Sequence, residues 1–282
     1  MAELVVVAPG ALTTIQDRGR PGYASMGVSE SGAFDRSAYE AGRLLLGSLT
    51  GAAALEVVLG GLRLRATGPT RSVLTGGQVA ATVGGREVRL GEPFDIDEGE
   101  ELALRHCSAG IRVYVSFAGG IDVPPALGSR STDLLSGLGP APLRAGDLLP
   151  LGTGSQGAEV AEAPSLIEPT NDTVTLDVLP GPRTDWLVDP DLAGEWTVSP
   201  DSNRVGVRLA GPVVALNRSD QLPSEGVVRG AIQIPPGGLP VIFGPDHPTT
   251  GGYPVVGVLT DLSSDALAQL RPGQRVRLRA TR

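Results

Sequence analysis

The sequence contains no lysine, so all 23 of its basic residues are arginine. This absence excludes catalysis through a lysine Schiff base and excludes a Walker A phosphate-binding loop. Any bound phosphate must therefore be held by arginine, by backbone N–H groups or by a metal ion. The arginines are scattered along the chain and the formal net charge is −8. An acidic protein without a basic patch repels phosphate backbones, which argues against nucleic-acid binding.

Cysteine and histidine are also scarce. The single cysteine, Cys107, excludes an intramolecular disulfide framework. The two histidines, His106 and His247, lack the spacing of a zinc site, so no metal ligands are predicted. No run reaches the ~18 apolar residues that span a bilayer, and the first residues lack the basic segment of a signal peptide. We therefore expect a soluble, cytoplasmic protein that does not bind membranes.

Aromatic residues make up only 4% of the chain, whereas glycine (40) and proline (24) are abundant throughout. This composition favours many short strands joined by tight turns. Helices are predicted at 35–46, 133–138 and 263–270, with a further short one near 184–187. Segments 63–69 and 143–151 resemble 207–212 and 270–278, in the same order. The sequence therefore predicts two tandem β-domains, 1–155 and 170–282, separated by a linker rich in Gly, Ala, Ser and Glu.

Residues 246–254 form the most reactive segment of the sequence. Between two apolar runs stand an acid, an imidazole, two hydroxyls, two glycines and a phenol: Asp246, His247, Thr249, Thr250, Gly251, Gly252 and Tyr253. Glycine pairs let backbone N–H groups approach a ligand closely, and loops on a rigid sheet often carry binding groups. The alternative is a long hairpin loop whose polar groups bond to one another.

A second polar segment lies at 13–23 and continues to residue 35. An amide, an acid and two guanidiniums stand together here: Gln16, Asp17, Arg18 and Arg20. Arginine suits bidentate recognition of a carboxylate or phosphate. Ser31 stands just before the predicted first helix, where free N–H groups could bind an anion. Alternatively, Asp17 and Arg18 pair within an ordered loop and Ser31 only caps the helix. Loop residues such as Arg204 have turn formation as their simpler interpretation.

The two segments together closely resemble the allophanate hydrolase subunit 2 family, which includes the C component of 5-oxoprolinase, KipA-type proteins and part of the carboxyltransferase region of urea carboxylase. The resemblance covers the chain in order, through residues 14–23, 27–35, 118–132, 143–147, 230–238, 246–247 and 249–254. It implies a mainly β fold of two tandem cyclophilin-like β-barrel domains. Pro248 stands where the family usually has glutamine, and Val255 where it often has lysine, so a charge present in relatives is absent here.

The resemblance also implies ATP-dependent opening of 5-oxoproline to glutamate. In that reaction a partner resembling the B component of 5-oxoprolinase, a KipI-like protein, helps to activate the lactam carbonyl by phosphorylation, and a third, A component completes hydrolysis. Two rival functions stay open. One is a biotin-dependent carboxyltransferase component that acts on a urea-like amide, and the other is a non-catalytic KipA-type regulator that binds a kinase-inhibitor partner.

Activation of a lactam requires groups that stabilise charge on the amide in a water-poor cleft. We hypothesise that Arg18 and the backbone of Gly251 and Gly252 donate hydrogen bonds there, while Asp246, Asp17 or His247 orients the substrate or exchanges a proton. Substrate-binding residues are expected to be Gln16, Ser31, Thr249, Thr250, Gly251, Gly252 and Tyr253. Mg-ATP, in a site that the partner could share, would be held by Arg204 and Arg130. Substitution of Asp246 or Arg18 is expected to abolish activity without unfolding the protein.

Overall fold

A computed structural model describes residues 2–153, 168–192 and 194–281. The chain folds into two compact units. The first unit comprises Met1–Arg20, Asp35–Asp133 and Gly137–Pro169, and the second comprises Pro21–Phe34, Leu134–Ser136 and Thr170–Arg282. Two short segments from the N-terminal half thus belong to the second unit. The predicted domain limits stay a prediction, and residue 155 with most of the predicted linker lies outside the described residues.

Strands provide most of the regular secondary structure in the described part of the first unit. These are β1 (Glu3–Pro9), β2 (Leu12–Gln16), β3 (Ala54–Val58), β4 (Leu62–Ala66), β5 (Thr70–Gln78), β6 (Ala81–Val83), β7 (Arg86–Val88), β8 (Phe94–Ile96), β9 (Glu101–Leu104), β10 (Ala109–Phe117) and β11 (Leu148–Pro150). They form a six-stranded sheet in the order β11-β1-β4-β9-β6-β7 and a five-stranded sheet in the order β2-β3-β10-β5-β8. Alternating burial along β4, with its leucines in and its arginines out, places one face of the strand on an aliphatic core.

Helix α1 (Arg36–Leu45) lies against β5 and β10 of the first unit. Asp35 caps it, since its carboxylate accepts a hydrogen bond from the Ala38 N–H at 2.9 Å. The Thr75 hydroxyl donates to the Ala38 carbonyl at 2.7 Å and ties the helix to β5. The predicted helix at 35–46 is therefore confirmed, with its boundaries shifted by one residue at each end.

The second unit contains a closed barrel. Its strands are β12 (Val174–Pro180), β13 (Glu195–Val198), β14 (Gly206–Ala210), β15 (Glu225–Gly226), β16 (Ala231–Gln233), β17 (Val241–Phe243), β18 (Thr250–Gly251), β19 (Val255–Leu259) and β20 (Arg275–Ala280). Seven of them close in the order β12-β19-β16-β17-β14-β13-β20, and β15 pairs with β18 as a separate ribbon. The mainly β prediction is confirmed, and the barrel predicted for the second half is present. The strands described in the first unit are hydrogen-bonded instead as two sheets.

Two of the three remaining helix predictions are confirmed. Helix α2 (Asp261–Ala268) begins after Thr260, whose hydroxyl caps it, and a 3-10 turn covers Thr184–Trp186. The predicted helix at 133–138 is wrong, because residues 134–136 form a turn. Gly137 there adopts a positive φ of 74°, a conformation that ends helical geometry. No helix in the part of the chain described is both long and apolar enough to cross a membrane.

Candidate functional site

Asp17 is the centre of a buried hydrogen-bond cluster in the first unit. One carboxylate oxygen accepts from the hydroxyls of Ser129 and Ser131, both at 2.6 Å, and from the Gly19 N–H at 2.8 Å. The other accepts from the Arg130 N–H at 2.6 Å. With the side chain buried and both oxygens engaged, Asp17 fastens the loop at 129–131 to the end of β2. This geometry suits a positioning group.

Arg20 binds the carbonyl groups of the same loop. Its guanidinium donates to the carbonyls of Ser131 and Ala126, although only 1% of the residue is exposed. Carboxylate and guanidinium therefore bind the donors and the acceptors of one loop, and a backbone fixed from both sides has little freedom to rearrange. Sequence reasoning placed Arg20 in the polar segment but assigned it no role, because burial of a guanidinium leaves no mark in local spacing.

Gln16, Arg18 and Arg130 have different environments. The Gln16 amide is buried and donates to Thr14 and to the Thr132 carbonyl, both at 3.0 Å. Arg130 donates from Nε to the Val123 carbonyl and pairs with Asp122 at 2.7 Å. Arg18 is exposed, and no hydrogen bond or ion pair joins it to another residue that the structure describes. Of these three, Arg18 alone presents an uncommitted cationic group, so the Asp17–Arg18 pair considered from sequence does not form.

Asp246 lies at the centre of a second buried cluster, within the second unit. Its two oxygens accept from Arg204 Nε and a terminal nitrogen of the same guanidinium, both at 2.8 Å. They also accept from the Ser31 hydroxyl at 2.7 Å and from the Leu134 N–H at 3.0 Å. Arg204 in turn donates to the Gly32 carbonyl at 2.7 Å. The acid from one predicted site and the serine from the other are thus directly bonded.

This Asp246 cluster connects the two short N-terminal segments of the unit to the barrel. Asp246 is 0% exposed and Arg204 is 2% exposed, so neither charge meets solvent. Four donors on one carboxylate suit a structural and positioning role. Arg204 faces its internal partners, and a nucleotide would have to displace Asp246 to reach it. Both guanidiniums already have partners within the chain, and the ATP-binding role of Arg204 and Arg130 stays a prediction.

The remaining residues of the 246–254 segment differ in their exposure to solvent. His247 is buried, and its Nδ1 donates to the Pro248 carbonyl at 2.7 Å, which places the ring proton on that nitrogen. The Thr249 carbonyl accepts from the Val227 N–H at 3.1 Å. Thr250 and Gly251 pair with Gly226 and Glu225 across the β15–β18 ribbon. The first part of the segment is therefore bonded mainly to residues elsewhere in the chain, and the alternative of a hairpin loop whose polar groups bond to one another is wrong.

Gly252 and Tyr253 face a cavity of about 560 Å³ within the second unit. Its walls are Trp186 and parts of segments 213–222, 234–238 and 252–254; we call it the Tyr253 cavity. Tyr253 is 48% exposed, and its hydroxyl has no hydrogen-bond partner in the described residues. The volume lies within the range of about 300–1,000 Å³ typical of ligand pockets. Of the predicted residues, Gly252 and Tyr253 alone line this cavity.

The loop carrying the Tyr253 motif is shaped by Gln233. The Gln233 amide donates to the Tyr253 carbonyl at 3.0 Å. A Cβ atom at Gly251 would lie 2.4 Å from the Gln233 amide nitrogen, whereas one at Gly252 would meet no atom within 4 Å. A side chain at Gly251 would therefore require the Gln233 amide to move, whereas one at Gly252 would displace no atom.

Two residues that sequence reasoning missed complete the cavity. The Arg218 guanidinium lies over the Trp186 ring, 4.9 Å from its centroid, and donates from Nε to Asp220 at 2.8 Å. No periodicity marks this loop, and Trp186 lies far from it in the sequence. Only the fold brings the pair together. Among the described residues, no group of three or more His, Cys, Asp or Glu is arranged to hold a metal ion.

Comparison with known proteins identifies the family. Residues 26–280 match the carboxyltransferase domain, subdomain A and B. The chain belongs to this carboxyltransferase family. It is 34% identical to the C component of 5-oxoprolinase from Escherichia coli K12, over 97% of this chain and 89% of that protein. It is 31% identical to the urea amidolyase of Lachancea kluyveri, over 96% of this chain but 16% of that protein.

A solved structure agrees with both the family and the fold. The crystal structure of the K. lactis urea amidolyase superposes with a TM-score of 0.89 at 29% identity. The superposition covers 98% of this chain and 18% of the urea amidolyase chain. These relatives are enzymes or enzyme components. This chain corresponds to nearly all of the 5-oxoprolinase component but to less than a fifth of each urea amidolyase. The family therefore occurs both as a region of a larger enzyme and as a separate polypeptide.

Proposed function

We propose that this protein is one component of an enzyme that activates and opens a small amide, and specifically that it is the C component of an ATP-dependent 5-oxoprolinase. The observation that carries the proposal is near full-length similarity to the corresponding protein of Escherichia coli, at 34% identity and 89% coverage of that protein. Similarity in the urea amidolyases is confined to a small part of each enzyme, so the separate component is the better counterpart.

The arrangement of polar groups supports catalysis only in a complex. In the described residues, Asp17 and Asp246 are buried and bonded, and Arg204 is neutralised by Asp246. Tyr253 and the exposed Arg18 keep accessible polar groups. A chain that presents so few uncommitted groups is suited to supplying a binding surface for the lactam, while a B-type partner supplies most of the Mg-ATP site. A third, A-type partner would then hydrolyse the activated lactam.

In this scheme the lactam carbonyl oxygen attacks the γ-phosphorus of ATP and ADP leaves, so the oxygens of the transferred phosphoryl group carry the negative charge of the transition state. Backbone N–H groups and a guanidinium that point to those oxygens would stabilise the charge without reorganisation. Gly252 of the second unit and Arg18 of the first are alternative candidates in this chain. Asp17, which precedes Arg18 in the sequence, is buried. It keeps the loop at 129–131 ordered and does not itself contact the substrate.

The test is reconstitution of this chain with its own B-type and A-type partners, followed by measurement of ATP hydrolysis. We expect ADP release that depends on 5-oxoproline and on all the components. Turnover that depends on urea and on a biotinylated carrier would refute the proposal. It would support the second candidate, a biotin-dependent carboxyltransferase component, which the urea amidolyase relatives favour. Tight partner binding without turnover of either substrate would instead support a KipA-type regulator.

A further inference from the structure

Arg218 gives the Tyr253 cavity a single cationic group with unused donors. Its Nε is bonded to Asp220, but its two terminal nitrogens have no hydrogen-bond partner in the part of the chain that the structure describes. About half of each side chain in the pair is exposed, 52% for Arg218 and 61% for Asp220. Stacking on Trp186 holds the guanidinium plane in place. The group is therefore oriented and still able to donate two parallel hydrogen bonds.

Charge limits what this guanidinium can bind. Arg218 is the only base and Asp220 the only acid among the described residues that line the cavity. A triphosphate carries several negative charges and needs several cations or a metal ion to offset them. One guanidinium beside one carboxylate offers far less positive charge than that, and the whole chain has a formal net charge of −8. A single carboxylate, which matches the fork of one arginine, fits this balance better than a nucleotide does.

The walls define the rest of the ligand. Most of the lining is apolar, with Val213, Ile234 and Pro235 beside the two rings of Trp186 and Tyr253. Flat apolar walls favour a compact ring over a branched polar chain. The Tyr253 hydroxyl, which has no internal partner in the described residues, can bond to one polar atom of that ring. The cavity thus combines a carboxylate-binding end with an apolar, ring-binding body.

We propose that the Tyr253 cavity binds a small ring compound that carries one carboxylate, with the carboxylate on the terminal nitrogens of Arg218 and the ring between Trp186 and Tyr253. The proposal deepens the proposed function and rests on it for the choice of acid, because 5-oxoproline is a five-membered lactam with a single carboxylate. Asp220 already neutralises part of the charge of the guanidinium, so it limits the affinity for the ligand carboxylate.

Trp186 provides a direct readout of binding. The chain has two tryptophans, and Trp196, the other one, does not line this cavity. Titration of the full chain with 5-oxoproline should change tryptophan fluorescence saturably. Cyclopentanecarboxylate, which keeps the ring size and the carboxylate, should also bind. 2-Pyrrolidinone keeps the lactam but lacks the carboxylate, and it should bind at least about tenfold more weakly, as expected for loss of a hydrogen-bonded charge. A Trp196→Phe variant isolates the Trp186 signal, and equilibrium dialysis replaces fluorescence if that variant does not fold.

Three substitutions test the contact itself. Arg218→Gln should weaken 5-oxoproline binding about tenfold or more and leave 2-pyrrolidinone binding unchanged. Asp220→Asn should strengthen 5-oxoproline binding, since it removes the competing carboxylate. Arg208→Gln, at an exposed arginine on β14 that does not line the cavity, is the matched control and should bind like the unmodified chain. Equal affinities for the acid and for 2-pyrrolidinone, or an Arg218→Gln variant with full affinity, would overturn the proposal, as would fluorescence changes produced only by ADP or biotinamide.

The reconstituted complex separates this inference from the proposed function. If 5-oxoproline drives ATP turnover but neither binds the full chain nor responds to Arg218→Gln in the complex, the cavity assignment fails and the function stands. If the chain binds 5-oxoproline through Arg218 but the complex turns over no ATP with it, the function fails and the binding site stands.

Discussion

The Asp246 cluster allows a quantitative prediction about stability. Arg204→Met would leave the Asp246 carboxylate buried, at 0% exposure, without its cation and without the two hydrogen bonds that Arg204 donates. Removal of one partner of a buried ion pair typically costs about 3–5 kcal/mol. With a urea m-value of roughly 2 kcal/mol/M, the unfolding midpoint should fall by roughly 2 M. A loss of this size approaches the whole stability of many domains, about 5–15 kcal/mol.

Asp246→Asn should be destabilising for a related reason. The Ser31 hydroxyl, the Leu134 N–H and two nitrogens of Arg204 all donate to this carboxylate. An asparagine amide keeps one acceptor oxygen and turns an NH₂ donor toward other donors. The charge of Arg204 would also lose its counter-ion. The expectation that an Asp246 substitution would spare the fold is therefore replaced by an expected loss of stability.

Urea denaturation followed by tryptophan fluorescence measures these losses, since Trp186 and Trp196 both belong to the second unit. Arg218→Met is the matched control: it removes an arginine from the half-exposed pair with Asp220, and such pairs contribute about 0–1 kcal/mol. Unfolding midpoints of Arg204→Met and Asp246→Asn within about 0.5 M of the unmodified protein, with unchanged m-values, would refute the reasoning.

Three further predictions concern single groups. Gly251→Ala should lower stability and disturb the loop because its Cβ would meet the Gln233 amide, while Gly252→Ala should leave the urea midpoint unchanged. Burial, followed by the nearby negative charge of a glutamate, raises the pKa of the Tyr114 phenol well above its usual value. The folded state thus holds this proton more tightly than the unfolded chain, so stability should be complete below about pH 10 and fall as the pH rises further. Tyr114→Phe should reduce that slope in urea titrations between about pH 9 and about pH 11.5. Arg18→Gln should change stability by less than about 0.5 kcal/mol yet lower ATP turnover of the complex, and unchanged turnover would remove Arg18 from the mechanism.

Local signals predicted the fold well where they act within one element. Asp35 stands directly before a helical pattern, and its side chain does cap α1. Leu62 and Leu64 alternate with arginine, a pattern typical of a strand that buries one face, and β4 is such a strand. The false helix at 133–138 shows the limit of such signals. Its second residue, Leu134, donates its N–H to Asp246, a residue 112 positions away. Tertiary bonding of this kind overrides local propensity.

The candidate site, like the fold, could be predicted only in part from the sequence. Sequence reasoning selected Asp17 and Asp246 because acids in polar loops often perform chemistry, but it could not show that each is buried with both oxygens engaged. Ser31 and Asp246 were chosen from separate segments, and the fold joins them at 2.7 Å. Residue type therefore selected these positions, and their burial favours a structural over a reactive role.

Two groups now assigned to ligand binding, Arg218 and Trp186, were overlooked in the sequence, whereas Tyr253 was predicted. Asp17 and Asp246 draw attention in a sequence because they sit among glycines and other polar residues, yet that same density provides the partners that saturate them. Arg218 stands in an unpatterned loop and keeps two donors unused among the described residues. Arg218 also lies in a polar run, residues 217–221, but within the described residues only its Nε is hydrogen-bonded, so its terminal nitrogens stay available to a ligand. For the proposed site, the availability of donors therefore guided the choice of residues more than the density of polar residues did.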